Sequence, residues 1–174
     1  MKTNLGILIA LFSAVALFAQ SPVPVQKEQM AKLDWLKGDW KGNGWMVRGP
    51  SDRKEFNQTE TVRGRLNDLV IIIEGHGRST EDGTTIHHAL AFVSYDVGEK
   101  KFRVRAFTGE GGQVDTEGKA GEKQFVWGFE VPGRGEIRYT VRLTAKGEWH
   151  EIGEFSADGT NWNKFLEMTL EKSE

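Results

Sequence analysis

Gln124-Phe-Val-Trp-Gly-Phe-Glu-Val-Pro-Gly-Arg-Gly-Glu-Ile-Arg-Tyr-Thr-Val-Arg-Leu143 is two alternating segments joined by a turn. Phe125, Trp127, Phe129 and Val131 take every second position of the first segment, and Ile137, Tyr139, Val141 and Leu143 every second position of the other. Successive side chains of a strand point to opposite faces. The period therefore predicts an antiparallel hairpin with one apolar and one solvated face. Pro132 to Gly135 supplies the turn chemistry between them.

The same signal extends in both directions. Phe102, Val104 and Ala106 alternate with Arg103, Arg105 and Phe107, and Leu166, Met168 and Leu170 alternate near the end of the sequence. Turn signals recur at Asn67-Asp68, Glu81-Asp82-Gly83, Asp96 to Glu99, Gly111-Gly112, Ala120-Gly121, Lys146-Gly147 and Asp158-Gly159. The count comes to about ten strands, more than the ~4–6 usual for one open sheet. A sheet that wide splits in two or closes, and closure removes its exposed edges. The expected fold is all-β: an antiparallel up-and-down β-barrel of about ten strands, with a two-sheet sandwich as the alternative. One short helix is expected over Val25 to Leu36, stopped by Gly38.

Met1 to Gln20 has the pattern of a secretory leader. Lys2 gives the positive start, Gly6 to Phe18 is apolar except for Ser13, and Ala19 is a small residue suited to precede a cut. The apolar run is shorter than the ~20 residues of a membrane span. The expected organisation is residues 1–19 as signal peptide, 20–26 as an extended linker and 27–174 as one barrel domain. The protein is thus expected to be exported, periplasmic or secreted, with no membrane span after cleavage. Without Lys2 the balance is 22 basic against 25 acidic residues, which offers no basic stripe for nucleic acid. Cysteine is absent, so disulfides, thiol nucleophiles and thiolate metal sites are excluded.

Three stretches carry a family resemblance. Leu36-Lys-Gly-Asp-Trp-Lys-Gly-Asn-Gly44 enters the first strand through Gly-x-Trp, Val93 to Phe102 is strand–turn–strand, and Gly153 to Trp162 turns into a last strand ending at Glu171. Together they resemble the calycin-type barrels, the group of lipocalins, fatty-acid-binding proteins and nitrobindins. They are most similar to exported bacterial domains of that shape whose function is uncharacterised. The resemblance implies that Trp40 packs across the closed end of the barrel. Nitrobindin-like relatives hold heme through a late histidine; His150 is the late histidine here, but Trp149-His-Glu-Ile152 departs from such a site.

Candidate chemistry is sparse. His87 and His88 are adjacent in a strand and so face opposite ways. If the preceding loop centres on Asp82, His76 faces His88, with Glu74 on the same face. Two imidazoles and a carboxylate suit zinc; a two-residue Asp82-Gly83 turn shifts the register and separates them. Arg103 and Arg105 share a face. If that face is interior, Arg105 pins an anionic ligand head, as the fatty-acid-binding barrels imply. The more uniformly apolar opposite face is the better core, which would place both arginines outside. Phe125, Trp127, Phe129 and Tyr139 either line a pocket or fill the core. No nucleophile elbow or phosphate loop is present.

The function expected from these residues is an exported protein that binds a small hydrophobic or amphipathic ligand, through Trp127, Tyr139, Phe125, Phe129 and Arg105. No cofactor is expected, with heme at His150 or zinc at Glu74, His76 and His88 as alternatives. The other readings are a metal- or acid/base-dependent enzyme at the barrel mouth, and an interaction protein with a solid core.

Overall fold

The structure is a computed structural model that describes residues 21–49 and 52–173. Helix α1 (Val23–Ala31) and a 3-10 turn (Asp34–Leu36) precede ten strands: β1 (Gly38–Val47), β2 (Arg53–Arg65), β3 (Val70–Ser79), β4 (Thr85–Asp96), β5 (Lys101–Thr108), β6 (Gln113–Gly121), β7 (Gln124–Val131), β8 (Gly135–Leu143), β9 (Trp149–Ser156) and β10 (Asn163–Lys172). Each strand pairs antiparallel with the next, and β1 pairs with β10 from Trp40↔Lys172 to Met46↔Leu166. The result is the closed up-and-down barrel that the alternation predicts. The signal peptide expected over residues 1–19 lies outside the described residues.

The helix begins earlier than expected. Ser21 to Pro24 were expected to be extended, but Val23 and Pro24 already belong to α1. Proline fixes a helical φ and lacks only an N–H that the first helical turn leaves unbonded. Pro22 and Pro24 therefore start this helix rather than prevent it. The helix also ends sooner, at Ala31, and the chain re-forms as the 3-10 turn.

This N-terminal segment closes one end of the barrel. Met30, Leu33 and Leu36 are buried, and Gln26 Nε2 donates to the Leu69 carbonyl in the β2–β3 turn at 3.2 Å. Trp40 is buried directly above them. Its Nε1 donates to the Leu36 carbonyl at 2.8 Å, and its ring meets Trp149 edge-on at 5.8 Å. The indole thereby ties the plug to both β1 and β9. The opposite end, which carries the β1–β2, β3–β4, β5–β6, β7–β8 and β9–β10 connections, has no such plug among the described residues.

Truncating Trp40 removes both the edge-on pair and the bond to Leu36. Trp40→Ala is expected to cost about 3–5 kcal/mol, measured as the shift of the urea midpoint by circular dichroism.

Candidate functional site: a cavity with buried carboxyls

The inward stripes of the ten strands do not fill the barrel. They leave a cavity of about 300 Å³, at the lower end of the ~300–1,000 Å³ typical of small-molecule sites. Its floor includes Leu36 of the plug and Trp149, and near the open end it is bordered by Thr108, Gly112 and Gln113 of the β5–β6 connection. Small residues keep the middle clear: Ala89 and Ala91 on β4 and Ala106 on β5 all line it.

One wall is aromatic. Trp127 and Tyr139, paired across β7 and β8, stack with ring centroids 4.6 Å apart at 19°. Phe129 continues the stack toward the mouth, 6.2 Å from Trp127. Phe125 lies deeper, edge-on to Phe102 at 5.7 Å. All four aromatic residues expected from the sequence line the cavity.

A deeper part of the cavity is polar in a way the sequence did not announce. Gln58 and Glu60 of β2 point inward and are buried, and Glu151 of β9 lines the same cavity. Gln58 Nε2 donates to Glu60 Oε1 at 2.7 Å, while Trp149 Nε1 donates to Glu151 Oε2 at 3.0 Å. Room for the β2 pair comes from glycine. Gly75 and Gly77 sit directly across from Glu60 and Gln58 on β3. A Cβ at Gly75 would collide with the Glu60 carboxyl, and one at Gly77 would lie 2.6 Å from Gln58 Oε1.

Burial raises the pKa of both acids, because a low-dielectric interior disfavours the charged form. Glu60 is pushed up to about 8, by burial first and by the neighbouring Glu151 second, against the opposing bond from Gln58. Glu151 is pushed up to about 7 by burial, against the bond from Trp149. Burial and then the Glu151 charge also raise Tyr139. On β4, His87 lines the cavity and burial lowers its pKa, which favours the neutral imidazole.

The remaining candidates lie outside. Arg105 is a correction to the expected ligand set: its side chain is 63% exposed and pairs with Asp115 on the outer face at 2.5 Å. Phe102, Val104 and Ala106 take the inner face of β5, because the more uniformly apolar stripe gains more from burial. The Asp82-centred register does occur, and His76 faces His88 with ring centroids 4.9 Å apart. That face is the barrel exterior. Glu74 reaches His88 Nε2 at 3.4 Å, but His76 Nε2 turns to Thr85 Oγ1 at 3.1 Å. No group of three metal-ligating side chains is assembled among the described residues. His150 does not fit an interior heme either. It alternates with the inward Trp149 and Glu151, and its ring nitrogens contact Arg142 at 3.1 Å and Glu167 at 3.0 Å.

No family model matches the chain, and no curated protein matches it. Among solved structures, the crystal structure of Rv2717c from M. tuberculosis is similar, with a TM-score of 0.61 and 12% identity over 83% of this chain and 97% of that one. A likeness at this identity shows the barrel fold.

Two predictions follow from these placements. A carboxyl whose folded pKa lies above its unfolded value favours the native state while protonated, and that stability is lost as pH rises through the folded pKa. With unfolded values near ~4.3, the wild type is expected to lose thermal stability between about pH 5 and pH 8, and Glu60→Gln/Glu151→Gln to flatten this slope in calorimetric scans. Arg105→Ala, which breaks only a solvated pair, is expected to change the unfolding free energy by less than about 1 kcal/mol in denaturant titration.

Proposed function

We propose that the protein is an exported binding protein that holds a small apolar or amphipathic ligand inside the barrel. The observation that carries this reading is the cavity itself: a space inside the barrel walled by stacked Trp127, Tyr139 and Phe129, with Gln58, Glu60 and Glu151 among its few polar groups. That combination, an apolar body with a small number of placed polar groups, is what a ligand pocket needs for affinity and orientation. A solid-cored interaction protein would have no use for three alanines facing an empty interior. The leader-like residues 1–19 supply the exported setting, and the barrel shape agrees with the calycin resemblance of the Gly38-Asp-Trp40 entry.

A second reading is acid–base catalysis in the same cavity. It rests on Glu60 and Glu151, two carboxyls whose pKa values are moved toward neutrality, a common property of functional acids. It replaces the outer Glu74, His76 and His88 cluster as the place where an enzyme activity would be sought.

The test uses a neutral aromatic probe, 2-naphthylmethanol, titrated into the purified protein by isothermal calorimetry. Wild type is expected to bind it saturably, and Ala91→Phe, which fills the middle of the cavity, to weaken binding at least about tenfold. Such overpacking costs about 1–3 kcal/mol of stability, so a cooperative melt of the variant is checked alongside. Binding unaffected by Ala91→Phe would place the ligand elsewhere, and an accompanying native mass spectrum shows whether a compound co-purifies.

A further inference from the structure

We infer that the ligand is an organic cation, a primary ammonium on an apolar body, with its ammonium seated among Gln58, Glu60 and Glu151 near the floor; this rests on the cavity being a ligand site. The first support is the count of acceptors. Gln58 gives its amide N–H to Glu60, which leaves Gln58 Oε1 buried without a partner in a side chain only 2% exposed. Glu60 Oε2 and Glu151 Oε1 receive no hydrogen bond among the described residues, since the bonds to these acids end on Glu60 Oε1 and Glu151 Oε2. Three acceptor oxygens thus line one region, and none of them receives a hydrogen bond among the described residues. An ammonium carries three donors and no acceptor.

The second support is the charge. Among the described residues, two acids line the cavity and no Lys or Arg does. The titratable groups facing this region are Glu60 from β2, Glu151 from β9 and Tyr139 from β8, with His87 from β4 nearer the mouth. Buried carboxylates are ordinarily paired. Here the protein supplies hydrogen bonds from Gln58 and Trp149 but no cation, so the counter-charge is left for the ligand to bring. The repulsion between Glu60 and Glu151 that raises the Glu60 pKa is relieved by the same ion.

The third support is shape. The aromatic wall of Trp127, Tyr139 and Phe129 runs toward the open end, above the level of the carboxyls. An ammonium at the floor therefore directs an apolar body along that wall. A neutral alcohol brings one donor and leaves two acceptors unmet, and an anionic head is repelled.

The experiment compares 2-naphthylmethylamine with its isostere 2-naphthylmethanol, each titrated by calorimetry into wild type and into Glu60→Gln/Glu151→Gln. At pH 8 the wild type is expected to prefer the amine by about tenfold or more, the size of a charge-assisted hydrogen bond over a neutral one. The preference is expected to shrink at pH 5, where both carboxyls hold protons, and to vanish in the double glutamine variant. A cooperative melt of that variant establishes that it is folded; a variant that fails to melt cooperatively is replaced by Glu60→Gln alone, expected to lose most of the preference. If wild type binds the alcohol as tightly as the amine, the cation is wrong while the cavity reading stands. If it binds neither compound, both fall together.

Discussion

The seam between β1 and β10 is the contact on which the rest of the molecule depends. Seven residue pairs, from Trp40↔Lys172 to Met46↔Leu166, join the first strand to the last. Without them the chain is a ten-stranded ribbon with two free edges and an apolar face that nothing covers. With them the apolar stripes of all ten strands face one another, no edge remains, and inside and outside become distinct. The seam also brings β2 within one barrel wall of β9, which is how Glu60 comes to feel the charge of Glu151, a residue ninety-one positions away in sequence.

Closure creates an interior wider than the chain chooses to fill. The plug of α1 and its 3-10 turn shuts one end, with Trp40 bridging it to the wall, so the unfilled space becomes a blind pocket. The residues around that space divide the labour by depth. Stacked rings line one wall, alanines line the centre, Glu151 sits beside Trp149, and Glu60 lies across from Gly75 of β3. Large residues at the alanine positions would have given a better-packed and more stable core.

The buried acids carry a cost that the fold alone does not explain. A carboxyl in an apolar interior with a single hydrogen bond and no counter-ion opposes folding when ionised. The protein limits the cost through Gln58 and Trp149, and by allowing the protons to remain near neutral pH. A Gln or Leu at either position would avoid it. Both acids line one cavity away from bulk water, whereas the outer ion pairs, such as Arg105 with Asp115, show none of this tension because water screens them.

The alternation in Gln124 to Leu143 pointed to the antiparallel hairpins and the inward direction of Trp127 and Tyr139, and with the turn count to about ten strands, while closure into a barrel rather than a sandwich is seen in the structure. These follow from a local period of two, which any reader of the chain can see. The start of α1 was misread because two prolines signal extended chain as readily as a first helical turn, and only the docking of Met30 and Leu33 decides between them. Gln58, Glu60 and Glu151 were not legible at all. In β2 polar residues occupy both faces, Glu55, Asn57 and Thr59 outside and Gln58 and Glu60 inside, so composition gives no clue to which side is buried. The one trace was Gly75-x-Gly77, and its meaning depends on the cross-strand partners that closure supplies. The tertiary structure alone chose the site, because a carboxyl's environment is set by what surrounds it in space, and here those neighbours come from opposite ends of the chain.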